Sequence, residues 1–290
     1  MLKLFTDTDC DVTPEIAAQY GYGLISMPYS FGDQEFYPYE SYEVFDAKEF
    51  YDRLRKGEMP KTCAISPEKY VEYFEPEFKK GNDILYVHFS PAMSGTFNAL
   101  NLALDQLKET YPERKVHLIN TKAISILALA IVRDIGEMHL AGKSLEEILK
   151  WAETEIDKYA LYYYVDDLTF FRRSGRVGNI SGIVGNIFDI HPIIHIDSQG
   201  VMTSMAKSRG KITTIKKIIS LIKELQEDIS NHRVIIAHTD ITEVRDTFMK
   251  MLKEEFGELD IEEVIVNPTI GAHCGPHCAG VCFHAKHRYK

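Results

Sequence analysis

The chain of 290 residues is predicted to be an α/β protein of two domains, an N-terminal parallel-sheet, Rossmann-like domain and a C-terminal α/β domain. Its length exceeds that of a typical single domain, and its composition, 45% hydrophobic and 26% charged, is that of a globular protein. Over the first half, β-branched runs alternate with helical patterns, as a parallel sheet requires. The pattern changes after about Lys158, so we predict domains at 1–159 and 160–290.

Charge and cysteine usage restrict the function classes. The formal net charge of -10 argues against nucleic acid as a partner, because binding to a phosphate backbone needs clustered Lys and Arg. No apolar segment has the length of a signal peptide or a membrane span. The five cysteines are an odd number and do not resemble a disulfide framework. These features predict a cytoplasmic protein.

The clearest unit of the sequence is a strand, a loop and a helix. Ile84–Phe89 is a short apolar, β-branched run, and apolar residues then recur at helical spacing over Phe97–Glu109. The loop between them lies where open α/β sheets bind ligands and where the amides of a helix start favour an anion. Within it, Ser94-Gly95-Thr96 offers two hydroxyls and a backbone without a Cβ. The alternative is that one hydroxyl only caps the helix.

Turn and cap signals predict the other elements of the first half. They are a strand at Leu2–Phe5, a strand at Leu24–Phe31 that turns at Gly32-Asp33 into a hairpin, helices at Ala47–Arg55 and from Ser66-Pro67 to about Lys80, a strand at Val116–Ile119, an apolar helix at Ile124–Leu140, and a helix opened by the capping box of Ser144 and Glu147.

The second half of the chain is predicted to contain both strands and helices. They are strands at Leu161–Val165, Ile193–Ile196, Val201–Ala206, Val234–His238 and Ile261–Val266, a short helix at Leu168–Arg173 ending at Gly175, a helix punctuated by Gly178, Gly182 and Gly185, and helices at Thr213–Glu227 and Thr242–Phe256.

One enzymatic alternative comes from acidic residues after the first strand. Asp9-Cys10-Asp11-Val12-Thr13 resembles the aspartate motif of haloacid-dehalogenase phosphatases. Ser90 is available as that family's hydroxyl, and Asp166-Asp167 as its acidic pair. A magnesium-dependent phosphatase is therefore an alternative, although acidic pairs after strands often serve only as helix caps.

The C-terminal stretch is dense in side chains that can bind metals. They are His273, Cys274, His277, Cys278, Cys282, His284 and His287. The cysteines recur at every fourth position, whereas zinc ribbons use a tighter pair and a second, distant pair, so we predict no metal. A serine hydrolase with Ser94 as nucleophile and His273 as base is a further alternative. The nucleophile elbow, however, has glycine where this chain has Ala92 and Thr96.

Positive charge is concentrated in one part of this acidic chain. The residues are Arg172, Arg173, Arg176, Lys207 and Arg209. This pattern favours an anion or an acidic partner, and a solvated face is the alternative.

Four motifs together resemble the DegV family of bacterial fatty-acid-binding proteins. They are Ser90–Thr96, Leu168–Val177, Lys207-Ser208-Arg209 and Gly271–Pro276, in the family's order and spacing. The resemblance spans nearly the whole chain. It implies a two-domain α/β protein that holds one long-chain fatty acid in a tunnel between its domains.

The resemblance also implies a carrier that is not an enzyme in its own right and has no cofactor. A separate, ATP-using fatty acid kinase phosphorylates the bound acid, and an acyltransferase consumes the acyl phosphate in phospholipid synthesis. Transient contact with a membrane surface is compatible with this role.

The family's motifs imply roles for particular residues. The implied ligand-binding residues are Thr62, Ser94, Gly95 and His273, and the implied residues for the partner and for phosphoryl transfer are Arg176 and Arg209. A buried carboxylate needs donors such as hydroxyls, amides at a helix start or a protonated His273. The chain departs from the family at Cys63-Ala64-Ile65, which loses polar groups, and at Leu127, which replaces a glycine. We expect Leu127 to shorten or bend the acyl tunnel.

Overall fold

The structure, a computed structural model, describes residues 1–178 and 189–289. The chain divides into two compact units, one of Met1–Phe45 with Pro60–Ile156, the other of Asp46–Met59 with the chain from Asp157 onward. The units differ from the predicted domains in residues 46–59 and 157–159, and the domain division itself stays a prediction. The predicted helix around Gly182 and Gly185 lies outside the described residues.

The strands alternate with helices along the first half of the chain. The strands are β1 (Leu2–Asp7), β2 (Gly23–Ile25), β3 (Tyr29–Phe31), β4 (Gln34–Phe36), β5 (Lys61–Thr62), β6 (Asp83–His88), β7 (Val116–Asn120), β8 (Tyr159–Val165), β9 (Val177–Gly178), β10 (Ile190–Ile196), β11 (Met202–Arg209), β12 (Val234–His238), β13 (Ile261–Ile265) and β14 (Cys278–His284). The helices are α1 (Pro14–Tyr20), α2 (Ala47–Arg55), α3 (Pro67–Lys79), α4 (Thr96–Thr110), α5 (Ser125–Leu140), α6 (Leu145–Glu155), α7 (Thr169–Ser174), α8 (Lys211–Leu225), α9 (Thr242–Phe256) and α10 (Pro268–Cys274).

The first unit contains a parallel sheet with the strand order β2-β1-β6-β7. Its inner strand β6 is apolar over Ile84–Val87, and these four side chains are fully buried. Such a continuous apolar run is typical of a strand that is covered on both faces. The predicted α/β class with a parallel N-terminal sheet is confirmed.

The single strand predicted at Leu24–Phe31 is wrong. The segment forms β2 in the parallel sheet and β3 in a separate antiparallel sheet of order β4-β3-β5. The residues between them bond elsewhere, since Met27 N–H donates to Thr8 Oγ1 at 2.9 Å and Ser26 Oγ donates to the carbonyl of Pro38 at 2.7 Å. The predicted hairpin is confirmed by the pairing of Phe31 with Gln34.

The predicted helix starts are confirmed where a side chain caps the helix. Ser66 Oγ accepts the Lys69 N–H at 3.2 Å at the start of α3. The Ser144 hydroxyl and the Glu147 carboxylate form the reciprocal bonds of the capping box at α6. Helix α2 has the predicted bounds. These starts are predictable because a cap involves only neighbours along the chain.

The second unit contains a mixed seven-stranded sheet of order β13-β12-β14-β8-β10-β11-β9. Helices α8 and α9 cover one face and bury Ile218, Ile222, Phe248 and Leu252 in a core shared with the sheet. Strand β14 lies between β12 and β8, and its seven residues are all buried. No strand was predicted for this segment.

None of the described helices is both long and apolar enough to cross a membrane.

Candidate functional site

The loop of Ser94-Gly95-Thr96 lies at the carboxyl end of β6, as predicted, with α4 beginning at Thr96. Ser94 Oγ accepts the backbone N–H of Thr96 at 3.2 Å within the loop, whereas the N-cap of α4 is Gly95 and no side chain caps this helix. A hydroxyl that accepts one hydrogen bond still has its own proton to donate. The contact therefore orients Ser94 and leaves it able to bind an oxyanion.

Gly95 is exposed, and the fold does not demand a glycine there. Its backbone angles, φ -76° and ψ -2°, are open to any residue, and an added Cβ would meet no atom within 4 Å. Neither backbone strain nor internal packing explains the missing side chain. The space beside Gly95 is open to a group from outside the chain.

Thr62 is partly buried at the end of β5, where it pairs with Tyr29. The positions that depart from the family have different surroundings. Cys63 and Ala64 are exposed, whereas Ile65 is buried. Leu127 is fully buried in α5.

His273 lies on α10, and contacts at the start and on one face of this helix fix its position. The side chain of Asn267 accepts the Ile270 N–H at 3.1 Å and caps the helix. A Cβ on Gly271 would stand 2.7 Å from Tyr51 Oη, so glycine permits α10 to pack closely against α2. The Tyr51 hydroxyl donates to the carbonyl of Val266 at 2.8 Å. The packing of α2 against the C-terminal motif could not be predicted from the sequence, because the two are more than two hundred residues apart in the chain.

The surroundings of His273 favour a neutral imidazole at neutral pH. Burial and the nearby positive charge of Arg176 lower the pKa of His273 to about 4. A neutral imidazole still donates one hydrogen bond. The positive charge beside His273 therefore belongs to Arg176, and the structure brings these two predicted site residues together.

Arg176 is exposed after a turn that ends α7. Gly175 has φ 65° and ψ 16°, and its N–H donates to the carbonyl of Phe171 at 3.2 Å, which confirms the predicted glycine end of this helix. Arg176 Nη1 donates to the carbonyl of Ser174 at 2.7 Å. This contact folds the side chain back toward its own turn.

Arg209 lies far from Arg176. Val177 pairs with Met202 at the start of β11, and Arg209 is the last residue of that strand, opposite Ile190. At about 3.3 Å per residue, the two arginines are roughly 20 to 25 Å apart. Arg176 and Arg209 therefore do not form one cluster, and any role of Arg209 is separate from that of Arg176.

The acidic pair of the phosphatase hypothesis, Asp166-Asp167, includes a residue with a structural role. Asp167 Oδ1 accepts the N–H of Thr169 at 2.8 Å and the hydroxyl at 2.7 Å, so it caps α7. Ser90 Oγ accepts the Ala92 N–H at 3.3 Å within its own turn. Both groups have the structural role that such residues commonly have.

The hydrolase hypothesis is opposed by the backbone of its nucleophile. Ser94 has φ -149° and ψ 140°, an ordinary extended conformation. A nucleophile elbow instead holds its serine in a sharp, strained turn. Ser94 and His273 belong to different units of the chain.

The cysteines of the C-terminal stretch are core residues. Cys278 and Cys282 lie in β14 and are about 1% exposed, and Cys278 Sγ donates to the carbonyl of Cys274 at 3.1 Å. Burial raises the pKa of the Cys278 thiol well above its usual value. All five cysteines, each within the described ranges, are free thiols. Over residues 1–178 and 189–289, no group of three or more His, Cys, Asp or Glu side chains is placed to hold a metal ion.

The fold and site define a class of protein, a two-unit α/β protein with a polar loop at the carboxyl edge of a parallel sheet. The family model "Uncharacterised protein, DegV family" matches residues 1–286. The chain belongs to the DegV family. It is 30% identical over 283 residues to a DegV domain-containing protein of Clostridium perfringens, covering 97% of this chain and 96% of that protein.

Solved structures of similar proteins share the fold over nearly the full length. The fatty acid binding DegV family protein of Streptococcus agalactiae superposes with a TM-score of 0.85 at 22% identity, covering 99% of both chains. A DegV family protein from Thermus thermophilus, solved in a study of its fatty acid binding, has a TM-score of 0.85 at 20% identity, covering 98% of this chain and 99% of that one. These DegV structures are two-domain folds.

Proposed function

We propose that this protein binds a long-chain fatty acid and presents the carboxylate to a separate fatty acid kinase. The observation that carries the proposal is the open space beside Gly95, flanked by an oriented Ser94 hydroxyl, at the carboxyl edge of a parallel sheet. The fatty acid binding of the similar Streptococcus and Thermus proteins supports the choice of ligand.

The physical chemistry of the ligand fits this proposal. At about 0.8 kcal/mol per buried methylene, a chain of about sixteen carbons contributes on the order of 10 kcal/mol before ordering costs. The carboxylate is costly to bury without partners and therefore needs donors. In this proposal, Thr62 and Ser94 donate hydroxyls, Gly95 allows close approach of the backbone, and neutral His273 donates its N–H.

The same proposal assigns no chemical step to this chain alone. The kinase supplies ATP and the phosphoryl group, Arg176 and Arg209 serve the kinase complex, and an acyltransferase uses the acyl phosphate in phospholipid synthesis. A cytoplasmic location is part of the proposal.

Native mass spectrometry of the protein purified from a bacterial host tests the ligand directly. We expect a mass increment of one long-chain fatty acid per chain, and extraction should identify its length and saturation. Protein that remains empty after exposure to palmitate, oleate and stearate would contradict the proposal.

Ser94→Ala should weaken binding of palmitate by about 10- to 150-fold, because a hydrogen bond to a charged group contributes about 1.5 to 3 kcal/mol. Binding of methyl palmitate should change much less, since the ester carries no charge. Isothermal titration with both ligands measures the difference. Ser144→Ala removes a serine hydroxyl that accepts a backbone N–H at the start of another helix, α6, and is the control for loss of such a bond. Equal losses for acid and ester would mean that Ser94 serves only to hold its own turn.

Gly95→Ala should lower the free energy of unfolding by no more than about 1 kcal/mol, because alanine is a poorer N-cap than glycine while the backbone angles suit it and the space is open. Palmitate binding should nevertheless fall, and fall further in Gly95→Val, as the side chain occupies the space of the ligand. Urea unfolding and titration on the same samples separate the two effects. Unchanged affinity in both variants would show that the acid does not approach this backbone.

A further inference from the structure

A fully buried carboxyl group stands directly beneath the candidate ligand loop. Asp7, the last residue of β1, is 0% exposed. Its Oδ2 accepts the Tyr86 hydroxyl at 2.9 Å and the Phe89 N–H at 3.3 Å, and its Oδ1 accepts the Cys10 thiol at 3.5 Å. A buried carboxylate with three donors is a specific arrangement, since an unpaired charge there would be costly.

These contacts join β1 to the strand that leads into the loop. The regular pairing of β1 with β6 ends at Phe5 and Tyr86. Beyond that point the Asp7 side chain supplies the acceptor for the Phe89 N–H, immediately before the loop of Ser90–Thr96. On the other side, Ser90 N–H donates to the carbonyl of Ala123 at 2.7 Å. The start of the loop is thus held by β1 on one side and by the turn after β7 on the other.

Two buried tyrosines lie between the same carboxylate and the end of the loop. Tyr86 donates to Asp7, and Tyr70 Oη lies 3.3 Å from Thr96 Oγ1, at the start of α4. The rings of Tyr70 and Tyr86 both pack on Phe74, with centroids 6.1 and 5.9 Å from its ring. Packing of the two rings on one phenylalanine therefore couples the hydrogen bond at Asp7 to the hydrogen bond at Thr96.

The middle of the loop has few such supports. Pro91, Ala92 and Gly95 are exposed, Met93 is buried, and the Met93 N–H and the Ser94 hydroxyl make hydrogen bonds within the loop itself. The position of the Ser94 hydroxyl therefore depends on how firmly the two ends are held.

We infer that Asp7 is a positioning residue, whose ionised carboxylate holds both ends of the Ser90–Thr96 loop in the arrangement that binds a ligand carboxylate. The inference rests on the proposed function and adds a regulatory property to that site. Asp7 does not touch the ligand and acts through Phe89, Tyr86 and Tyr70.

The charge of Asp7 changes near neutral pH. Burial raises the pKa of Asp7 to about 7, against the hydrogen bonds from Tyr86, Phe89 and Cys10, which lower it. The titratable groups that face Asp7 are Cys10 of the following turn, Tyr86 of β6 and Tyr70 of α3, and the backbone N–H of Asp9 also lowers the pKa of Asp7. Burial also raises the pKa of the Cys10 thiol and of the Tyr86 hydroxyl, so both remain neutral donors.

Ionisation of Asp7 is expected to have opposite effects on stability and on palmitate affinity. Because the folded-state pKa is raised from 3.8, the contribution of Asp7 to stability is fully present below pH 3.8 and is lost as the pH rises through about 7. Ionisation thus costs stability, while it provides the acceptor that three donors require. Palmitate affinity should therefore rise with pH through about 7, as the stability contribution of Asp7 falls.

The experiment compares palmitate affinity between pH 6 and 8 in the wild-type chain and in Asp7→Asn, which cannot ionise. We expect the wild-type affinity to gain about three- to tenfold more over this interval than that of the variant, the effect of about one hydrogen bond. Ionisation of palmitate and of His273 is common to both proteins and cancels in the comparison. Asp83→Asn, at the opposite end of β6, is the matched control and should keep the wild-type profile.

Tyr86→Phe provides a second test if Asp7→Asn does not fold. It removes a donor that lowers the pKa of Asp7, so the midpoint of the affinity profile should move to higher pH. Amide hydrogen exchange over residues 89–96 should also become faster in either variant. A wild-type profile in a folded Asp7→Asn or Tyr86→Phe variant would overturn the inference. A wild-type chain that binds no palmitate at any pH would instead contradict the proposed function.

Discussion

Arg176→Ala is expected to retain its fatty acid and its thermal stability while acyl-phosphate formation with a cognate kinase falls by about 100-fold or more. Phosphoryl transfer places negative charge on the moving group, and a planar guanidinium with five donors stabilises such charge, with effects of about 10³ or more in well-studied cases. Arg176 is exposed and stands beside a neutral His273, so it is the cation of this part of the site. The rate of acyl-phosphate formation at saturating kinase measures the effect.

Arg173→Ala is the matched control, because Arg173 is an exposed arginine on the same short helix. It should keep at least half of the parent rate. Arg209→Ala should act independently, since residues roughly 20 to 25 Å apart contribute additively as a rule. An unchanged rate in Arg176→Ala would make Arg176 an ordinary surface residue, and loss of the lipid would place it in the carboxylate site.

Gly275→Ala is expected to lower the free energy of unfolding by about 3 kcal/mol or more, the largest stability effect predicted here. Gly275 has φ 75° and ψ -176°, a region that is essentially restricted to glycine and costs about 1 to 3 kcal/mol for other residues. An added Cβ would also stand 2.3 Å from Cδ2 of Phe170, which is buried. Overpacking of this kind adds about 1 to 3 kcal/mol. Urea unfolding measures the sum.

Gly257→Ala separates the two contributions. Gly257 ends α9 with φ 78° and ψ -149°, close to the angles of Gly275, but a Cβ there meets no atom within 4 Å. Its variant should lose only the backbone part. Combining Gly275→Ala with Phe170→Leu should recover part of the remaining loss. Equal losses in Gly275→Ala and Gly257→Ala would show that Phe170 moves aside without cost.

Features that depend on neighbours along the chain could be predicted from the sequence alone. The strand, loop and helix around Ser94 follow from an apolar run and helical spacing, and the capping box at Ser144 and Glu147 involves residues three apart. The end of α7 at Gly175 has the same local origin, because a left-handed conformation there favours glycine. The DegV motifs are also local patterns, and they identified the family.

Features that depend on partners distant in the chain could not be predicted from the sequence and are seen only in the folded structure. Strand β14 is central because β12 and β8 pair with it, and this pairing turns Cys278 and Cys282 into core residues. The Leu24–Phe31 segment divides because its two ends pair with different sheets. The neutral state of His273 follows from burial and from Arg176, nearly one hundred residues away in the chain. Side-chain periodicity indicates which face of an element is buried. It does not indicate which distant segment covers that face or places a charged residue beside it.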